Sequence, residues 1–223
     1  SKSNFEFFKE KIFKISKSNY WKINKIEIYT DKIHKENLLK FKDDKNDLFY
    51  IIRNDELLKS LRSNLTKSKF FEKMILKKNV NEKFLNKKEY DLIISCDADN
   101  FLAKKYFTKK ISKNYYNLAY TTLLKHKKIA NNTATQIFTK QGPIAFLPIS
   151  NIETSVVYSI NIKDKKFTND DIIDLINKNN PKYKINKIAK LNTFKLSSSN
   201  LRNYYHKNIL AFGDILHRVH PLA

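Results

Sequence analysis

A chain of 223 residues with 41% hydrophobic content can bury one large core or two small ones, and a single cysteine, Cys96, excludes an internal disulfide framework and fits a reducing compartment. No uninterrupted apolar run approaches the roughly 18–20 residues of a membrane-spanning helix. The net charge of +22 invites a nucleic-acid partner, but 40 of the 44 basic residues are lysine, dispersed among abundant Asn and Ile, so codon bias accounts for the charge and no specific nucleic-acid partner is expected.

In chain order, apolar spacing from Phe5 to Ile15 predicts a helix over residues 4–15. Strands are predicted over 22–29, where Ile23, Ile26 and Ile28 recur, and over 48–52. Leu57, Leu58, Leu61 and Leu65 share one face of a following helix. Residues 70–77 and 80–85 read as a hairpin, and 90–97 as a short, fully buried strand ending in Asp97. Residues 118–124, 133–138, 144–149 and 155–162 read as strands separated by turns such as Gln141-Gly142-Pro143. Asn169-Asp170-Asp171 opens a helix that runs to about residue 179, before Pro181, and strand follows to about residue 196. The last strand, 209–213, is apolar and ends in Gly213-Asp214. Buried parallel-type strands at 90–97 and 209–213 thus bracket a large antiparallel section. The expected fold class is α/β (α+β overall), an α/β core carrying a β-rich insertion. The first residue is not methionine and helical spacing begins by residue 5, so the chain reads as an internal fragment of a larger protein.

Asp97 and Asp214 each end a predicted strand, with Gly213 before one of them. Ligands of open α/β sheets sit outside the carboxyl ends of the strands, and two acids placed there suit a long dinucleotide. Singly, each acid would more simply cap a turn. His217 and His220 have a spacing that could hold a metal, but no Cys or acid cluster accompanies them, so no metal is expected. Cys96 at the end of a buried strand reads as an inert thiol. Paired tyrosines at 115–116 and 204–205 read as core or sheet surface.

The terminal segment Phe212-Gly213-Asp214-Ile215-Leu216-His217-Arg218-Val219-His220-Pro221 resembles the "G-D-A-A-H-x-x-H-P" segment of the flavin-dependent aromatic hydroxylases, the p-hydroxybenzoate-hydroxylase-like family, and within it the ubiquinone-biosynthesis hydroxylases. Three further segments agree in order. Residues 21–31 resemble the family's tryptophan-led first substrate strand. Ile51-Ile52-Arg53-Asn54-Asp55-Glu56-Leu57 resembles its strand-to-helix "V-V-E-N-R-x-L". Residues 133–149, with Gly142-Pro143 and Pro148, resemble its "F-T-x-x-G-P-x-A-x-L-P-L" sheet segment.

The resemblance implies a partial FAD-binding Rossmann-like domain (1–20, 54–111 and 207–223) with an inserted antiparallel β-sheet substrate domain (21–53 and 112–206). It implies FAD as cofactor and NAD(P)H as electron donor. Asp214 would hold a ribityl hydroxyl with Gly213 permitting close approach, and His220-Pro221 would lie in the segment beside the isoalloxazine. Asp97 would stand near the FAD pyrophosphate. The family's arginine stands here as Asp55, which leaves Arg53 or Asn54 to make its flavin contact, or leaves it unmade. The glycine, serine and arginine after the second aspartate stand as Ala98, Phe101 and Lys104, so the local turn and NAD(P)H handling depart from the pattern. The implied activity is monooxygenation of an aromatic ring, a polyprenylated phenol of ubiquinone biosynthesis, by O2 and NAD(P)H, with this fragment alone inactive. No catalytic acid or base is named, because the flavin carries the chemistry. Expected partners are the prenylated aromatic substrate, other quinone-pathway enzymes or a membrane surface; the expected location is cytoplasmic or peripheral on the inner membrane face. The alternatives are another flavoprotein on the same scaffold, a prenyl reductase or halogenase, and a basic non-enzymatic binding module.

Overall fold

The computed structural model describes residues 2–12, 15–30, 37–43, 46–75, 90–163 and 166–218. The chain divides into two compact units, residues 1–71 with 117–195 and residues 72–116 with 196–221. No helix among the described residues is long and apolar enough to cross a membrane.

The first unit opens with helix α1 (Lys2–Phe7), which widens into a π-helical turn, Phe8–Ile12. Strands β1 (Tyr20–Ile23) and β4 (Phe49–Ile52) pair antiparallel, with Trp21 opposite Ile51. Phe5 stacks on Tyr50 and meets Tyr20 edge-on, ring centroids 4.0 and 4.7 Å apart, which seats the helix on this pair. Helix α2 (Asn54–Leu65) follows β4 directly, with Arg53 at its N-cap and Asp55 and Glu56 in its first turn, where acids complement the helix dipole.

The main sheet runs β11–β6–β9–β8–β7–β2–β3, with β10 (Ile185–Ile188) also paired to β6 and β11 covering Asn192–Leu201. Its strands are β2 (Lys25–Thr30), β3 (Asn37–Lys42), β6 (Lys110–His126), β7 (Thr133–Thr139), β8 (Gly142–Pro148) and β9 (Glu153–Asn161). Neighbours pair antiparallel from β7 to β9 and from β9 to β6, while β2 lies parallel to β7. Alternation gives the sheet two faces. Tyr120, Leu124, Ile144, Phe146, Val156, Tyr158 and Ile160 form the core with Ile172 and Ile176 of a helix Asn169–Asn179. The opposite face carries Ala119, Leu123, Ala134, Ala145, Leu147, Ser155 and Val157. Gly142, at φ +140°, opens β8 directly after the tight Lys140-Gln141 turn; a Cβ there would stand 2.1 Å from the Ser159 carbonyl oxygen, so only glycine fits.

In the second unit, β5 (Ile93–Ser95) lies parallel to β13 (Ile209–Ala211), and β12 (Tyr205–His206) flanks β13 antiparallel. Helix α3 (Phe101–Tyr106) packs Ala103 into a small core with Phe107, Leu201, Ile209, Ala211 and Ile215. The last described α-helix is α4 (Asn169–Asn179), in the first unit.

The fold is of the expected mixed α/β class, with the antiparallel strands dominant. Several local expectations are corrected. The predicted strand 22–29 is two strands, β1 and β2, broken at Asn24 and placed in different sheets. Residues 70–75 of the predicted hairpin carry no strand, and 76–89 lie outside the described residues. The predicted buried strand 90–97 shrinks to β5, with Leu92 and Ile94 more than half exposed. Only the β5 face that shares the side of Ile209 and Ala211 meets this unit's core, so an apolar run here does not mean burial on both faces. Cys96 stands past the last paired residue and is exposed, not buried.

Candidate functional site

The two acids singled out from sequence end neighbouring strands. The β5–β13 register pairs Ile93 with Ile209, Ile94 with Leu210 and Ser95 with Ala211, and the Phe212 N–H donates to the Ser95 carbonyl at 2.9 Å. The strands are parallel, so Asp97 and Asp214 both follow the carboxyl edge of this pair. Gly213 has φ +69°, the left-handed region, and a Cβ there would meet nothing within 4 Å. The backbone angle rather than crowding is therefore what calls for glycine. Gly213 opens a 3-10 turn to Ile215 closed by the Leu216 N–H on the Gly213 carbonyl at 2.9 Å, and Ile215 anchors it in the core. Asp214 is left exposed at the turn, and its carboxylate makes no hydrogen bond or ion pair among the described residues.

Asp97 is engaged locally. Its Oδ1 accepts the Asp99 N–H at 2.9 Å, and Asn100 then caps α3 by accepting the Ala103 N–H at 2.8 Å. The Asn100 amide also donates to Ser95 Oγ at 2.9 Å, tying the turn to β5. Asp97 is thus taken up in its own turn, while Asp214 has no side-chain partner among the described residues. His220 and Pro221 lie outside the described residues. Among the described residues no group of three or more His, Cys, Asp or Glu gathers to hold a metal.

Arg53 and Asn54 belong to the first unit, at the start of α2, where both are exposed. Arg53 borders two clefts that also share Ile51 and Ile149. One, of about 290 Å³, lies between the α2 N-terminus and the sheet face opposite the core, at Leu123, Leu147 and Ser155. The other, of about 550 Å³, is bounded by Lys17, Trp21, Asn132 and Ser150. Arg53 contacts Asp55 at 3.6 Å and Glu153 at 4.0 Å, and Glu153 is shared with Lys125 at 3.6 Å. Lys22 is held by Asp47 at 2.8 Å, whose hydrogen bond outweighs burial and raises the ammonium above its usual range.

Behind the larger cleft lies a buried polar chain that sequence reasoning missed. The Trp21 indole N–H donates to the Asn131 carbonyl at 2.5 Å. The Asn131 amide donates to Ser150 O at 2.8 Å and to Thr154 Oγ1 at 2.9 Å, while its Oδ1 accepts the Tyr183 hydroxyl at 3.1 Å. His126 places Nδ1 2.9 Å from the Lys127 carbonyl and Nε2 3.0 Å from Thr154 Oγ1. A carbonyl only accepts, so Nδ1 donates to it, and Nε2 hydrogen-bonds the Thr154 hydroxyl. Every member is then satisfied. Asn131, His126, Thr154 and Tyr183 are each at most 4% exposed, so a broken link would leave a desolvated group unpaired. Burial pushes the Tyr183 hydroxyl above its usual pKa, which keeps it a donor. The one available signal was Trp21, already marked as leading a strand.

No family model matches this sequence, and no curated protein matches it. Its fold does match solved structures. The flavin-dependent brominase Bmp2 superposes with a TM-score of 0.64 at 12% identity, over 92% of this chain and 58% of that one. PqsL from Pseudomonas aeruginosa, described as a "probable FAD-dependent monooxygenase", gives 0.63 at 13% identity, over 91% and 63%. The 2-methyl-3-hydroxypyridine-5-carboxylic acid oxygenase gives 0.60 at 9% identity, over 90% and 59%. The chain therefore has the fold of flavin-dependent oxygenases and halogenases and spans about three fifths of their length.

Proposed function

We propose that the protein is an FAD-dependent monooxygenase that hydroxylates an aromatic ring, with NAD(P)H as donor and O2 as oxidant. The observation that carries this reading is the Gly213-Asp214 turn at the carboxyl edge of a parallel strand pair, in a chain of this fold. The residues fit the cofactor. Asp214 is an exposed carboxylate with unused acceptors, suited to a ribityl hydroxyl, and the left-handed Gly213 lets the chain turn beside it. Asp97 borders the same edge, and His220-Pro221 continue the segment. When bound, FAD supplies the redox chemistry and activation of dioxygen; the protein binds, orients and keeps water out.

In this reading residues 1–20, 54–111 and 207–223 serve the cofactor, and 21–53 and 112–206 form the substrate portion. The sheet face opposite the core, which borders a cleft at Leu123, Leu147 and Ser155, is the surface assigned to the ring in this reading. The substrate is a polyprenylated phenol, as the resemblance to the ubiquinone-biosynthesis hydroxylases implies. Since this chain spans 58–63% of the flavoproteins it resembles, residues 1–223 alone are not expected to turn over.

The likeness to a brominase supports a second reading, halogenation on the same scaffold. One assay separates the two: NAD(P)H oxidation by protein expressed from the entire gene, with a prenylated phenol, with and without bromide. A hydroxylated product independent of bromide supports the monooxygenase. A brominated product supports the halogenase, and an absence of bound flavin refutes both.

A further inference from the structure

We propose that the open edge of the main sheet, strand β3, docks an extended acidic segment of a partner protein, which joins the sheet as a further strand. The inference stands on the first unit alone and does not rest on the flavin reading.

β3 is the last strand of the sheet, and among the described residues it pairs only with β2. The Asp43 N–H donates to the Asn24 carbonyl at 3.2 Å, in register with the pairs Phe41–Ile26, Lys40–Glu27 and Leu39–Ile28. Antiparallel ladders alternate, so Phe41 and Leu39 bond inward to β2, and Lys40 between them turns its N–H and C=O outward. An outward row of this kind is a template for a further strand.

The side chains select which strand. Alternation puts Leu39 and Phe41 beside Ile28 and Ile26 on one face, and Leu39 and Phe41 are 53% and 49% exposed. The other face carries Lys40 beside Glu27 and Lys25. Glu27 is the one acid of β2 and β3. It pairs with Lys25, and Lys40 and Lys182 also act on its charge. Most lysines of the chain are dispersed, but these three gather beside one carboxylate. A strand that alternates acidic and apolar residues matches both faces at once. A membrane surface would take the apolar face and leave the lysines turned from its headgroups. Antiparallel pairing of two copies about Lys40 would set that lysine against itself, in chains of net charge +22. Lysine guards an edge against neutral and basic strands, and the same charge favours an acidic one.

A fluorescent peptide alternating glutamate with valine is titrated into the full chain and followed by anisotropy. Beside it run a version with lysine for glutamate, two versions N-methylated on opposite alternate sets, and vesicles of anionic phospholipid. The parent peptide should bind saturably and the lysine version should not. Only one edge of the peptide faces β3, so one N-methylated version should bind roughly tenfold or more weakly and the other like the parent. Lys40→Gln should weaken parent binding about two- to fivefold through lost charge. Lys40→Pro also removes an outward N–H while sparing the ladder to β2, and should weaken it about fivefold further, with an unchanged circular dichroism spectrum. The N-methylated pair decides the matter even where Lys40→Pro does not fold. Unsaturable binding, equal binding of the lysine version, equal effects of the two N-methylations, or a folded Lys40→Pro that binds like Lys40→Gln overturns the proposal. A chain that binds the vesicles and not the peptide, or a dimer that Lys40→Pro dissociates, gives the edge to a membrane or to a second copy and overturns it too.

Discussion

Asn131 shows how much one buried side chain can organise. Its carbonyl fixes Trp21, its amide fixes Ser150 and Thr154, and its Oδ1 takes the Tyr183 hydroxyl. Asn131→Ala keeps the backbone contact to Trp21 but leaves the other three groups short of a partner. Each buried group so orphaned costs about 1–3 kcal/mol, and water entering the space left behind offsets some of it. The expected loss is about 3 kcal/mol, read as a lower denaturant midpoint at unchanged slope. A loss under about 1 kcal/mol would show that the chain is not the support described here. Nothing in the sequence marks this residue. It stands in a run of ordinary polar residues, and its side-chain partners lie 19, 23 and 52 positions away. Gly213 was legible for the opposite reason. With only two glycines in the chain, one directly before an acid at the end of an apolar run is a strong local signal. The structure adds that backbone angle, not space, is what it provides.

Among the elements, those defined by local chemistry were read correctly. The break predicted at Gln141-Gly142-Pro143 separates β7 from β8, although the turn itself is Lys140-Gln141 and Gly142-Pro143 already open β8, and Asn169-Asp170-Asp171 placed α4. The cap itself is Thr168, one residue earlier. Its hydroxyl accepts the Asp171 N–H at 3.2 Å while Asp171 accepts the Thr168 N–H at 2.8 Å, a reciprocal capping box. Thr168→Ala should cost about 1 kcal/mol, and Thr168→Ser should restore most of it, measured by thermal or urea unfolding. Equal stability of all three would mean the box contributes nothing. The elements misread are those decided by distant partners. Asn24 divides β1 from β2 because the segments pair with β4 and with β3 and β7 respectively, which the alternation of Ile23, Ile26 and Ile28 cannot reveal. β5 looked buried because its residues are apolar, yet burial depends on what covers each face.

At the scale of the whole molecule, the fold is shared with flavoproteins at 9–13% identity, while this chain is rich in lysine, asparagine and isoleucine. Both of its glycines stand where backbone geometry calls for one, Gly142 at the start of β8 and Gly213 at the corner before Asp214. The dispersed lysines carry no comparable message. DNA binding should therefore be weak, indifferent to sequence and lost between roughly 50 and 200 mM salt, as a salt titration will show. A sequence-specific complex at the higher salt would revive the basic-module reading. The central claim, that the Gly213-Asp214 corner holds a flavin, is tested most directly by titrating FAD into protein expressed from the entire gene, wild type beside Asp214→Ala, by flavin fluorescence with circular dichroism as the check on folding. Losing a hydrogen bond to a charged group of about 1.5–3 kcal/mol should weaken FAD binding by roughly ten- to a hundredfold, with the circular dichroism spectrum unchanged. Wild-type protein that does not bind FAD, or an Asp214→Ala variant that binds it like wild type or fails to fold, would contradict the account.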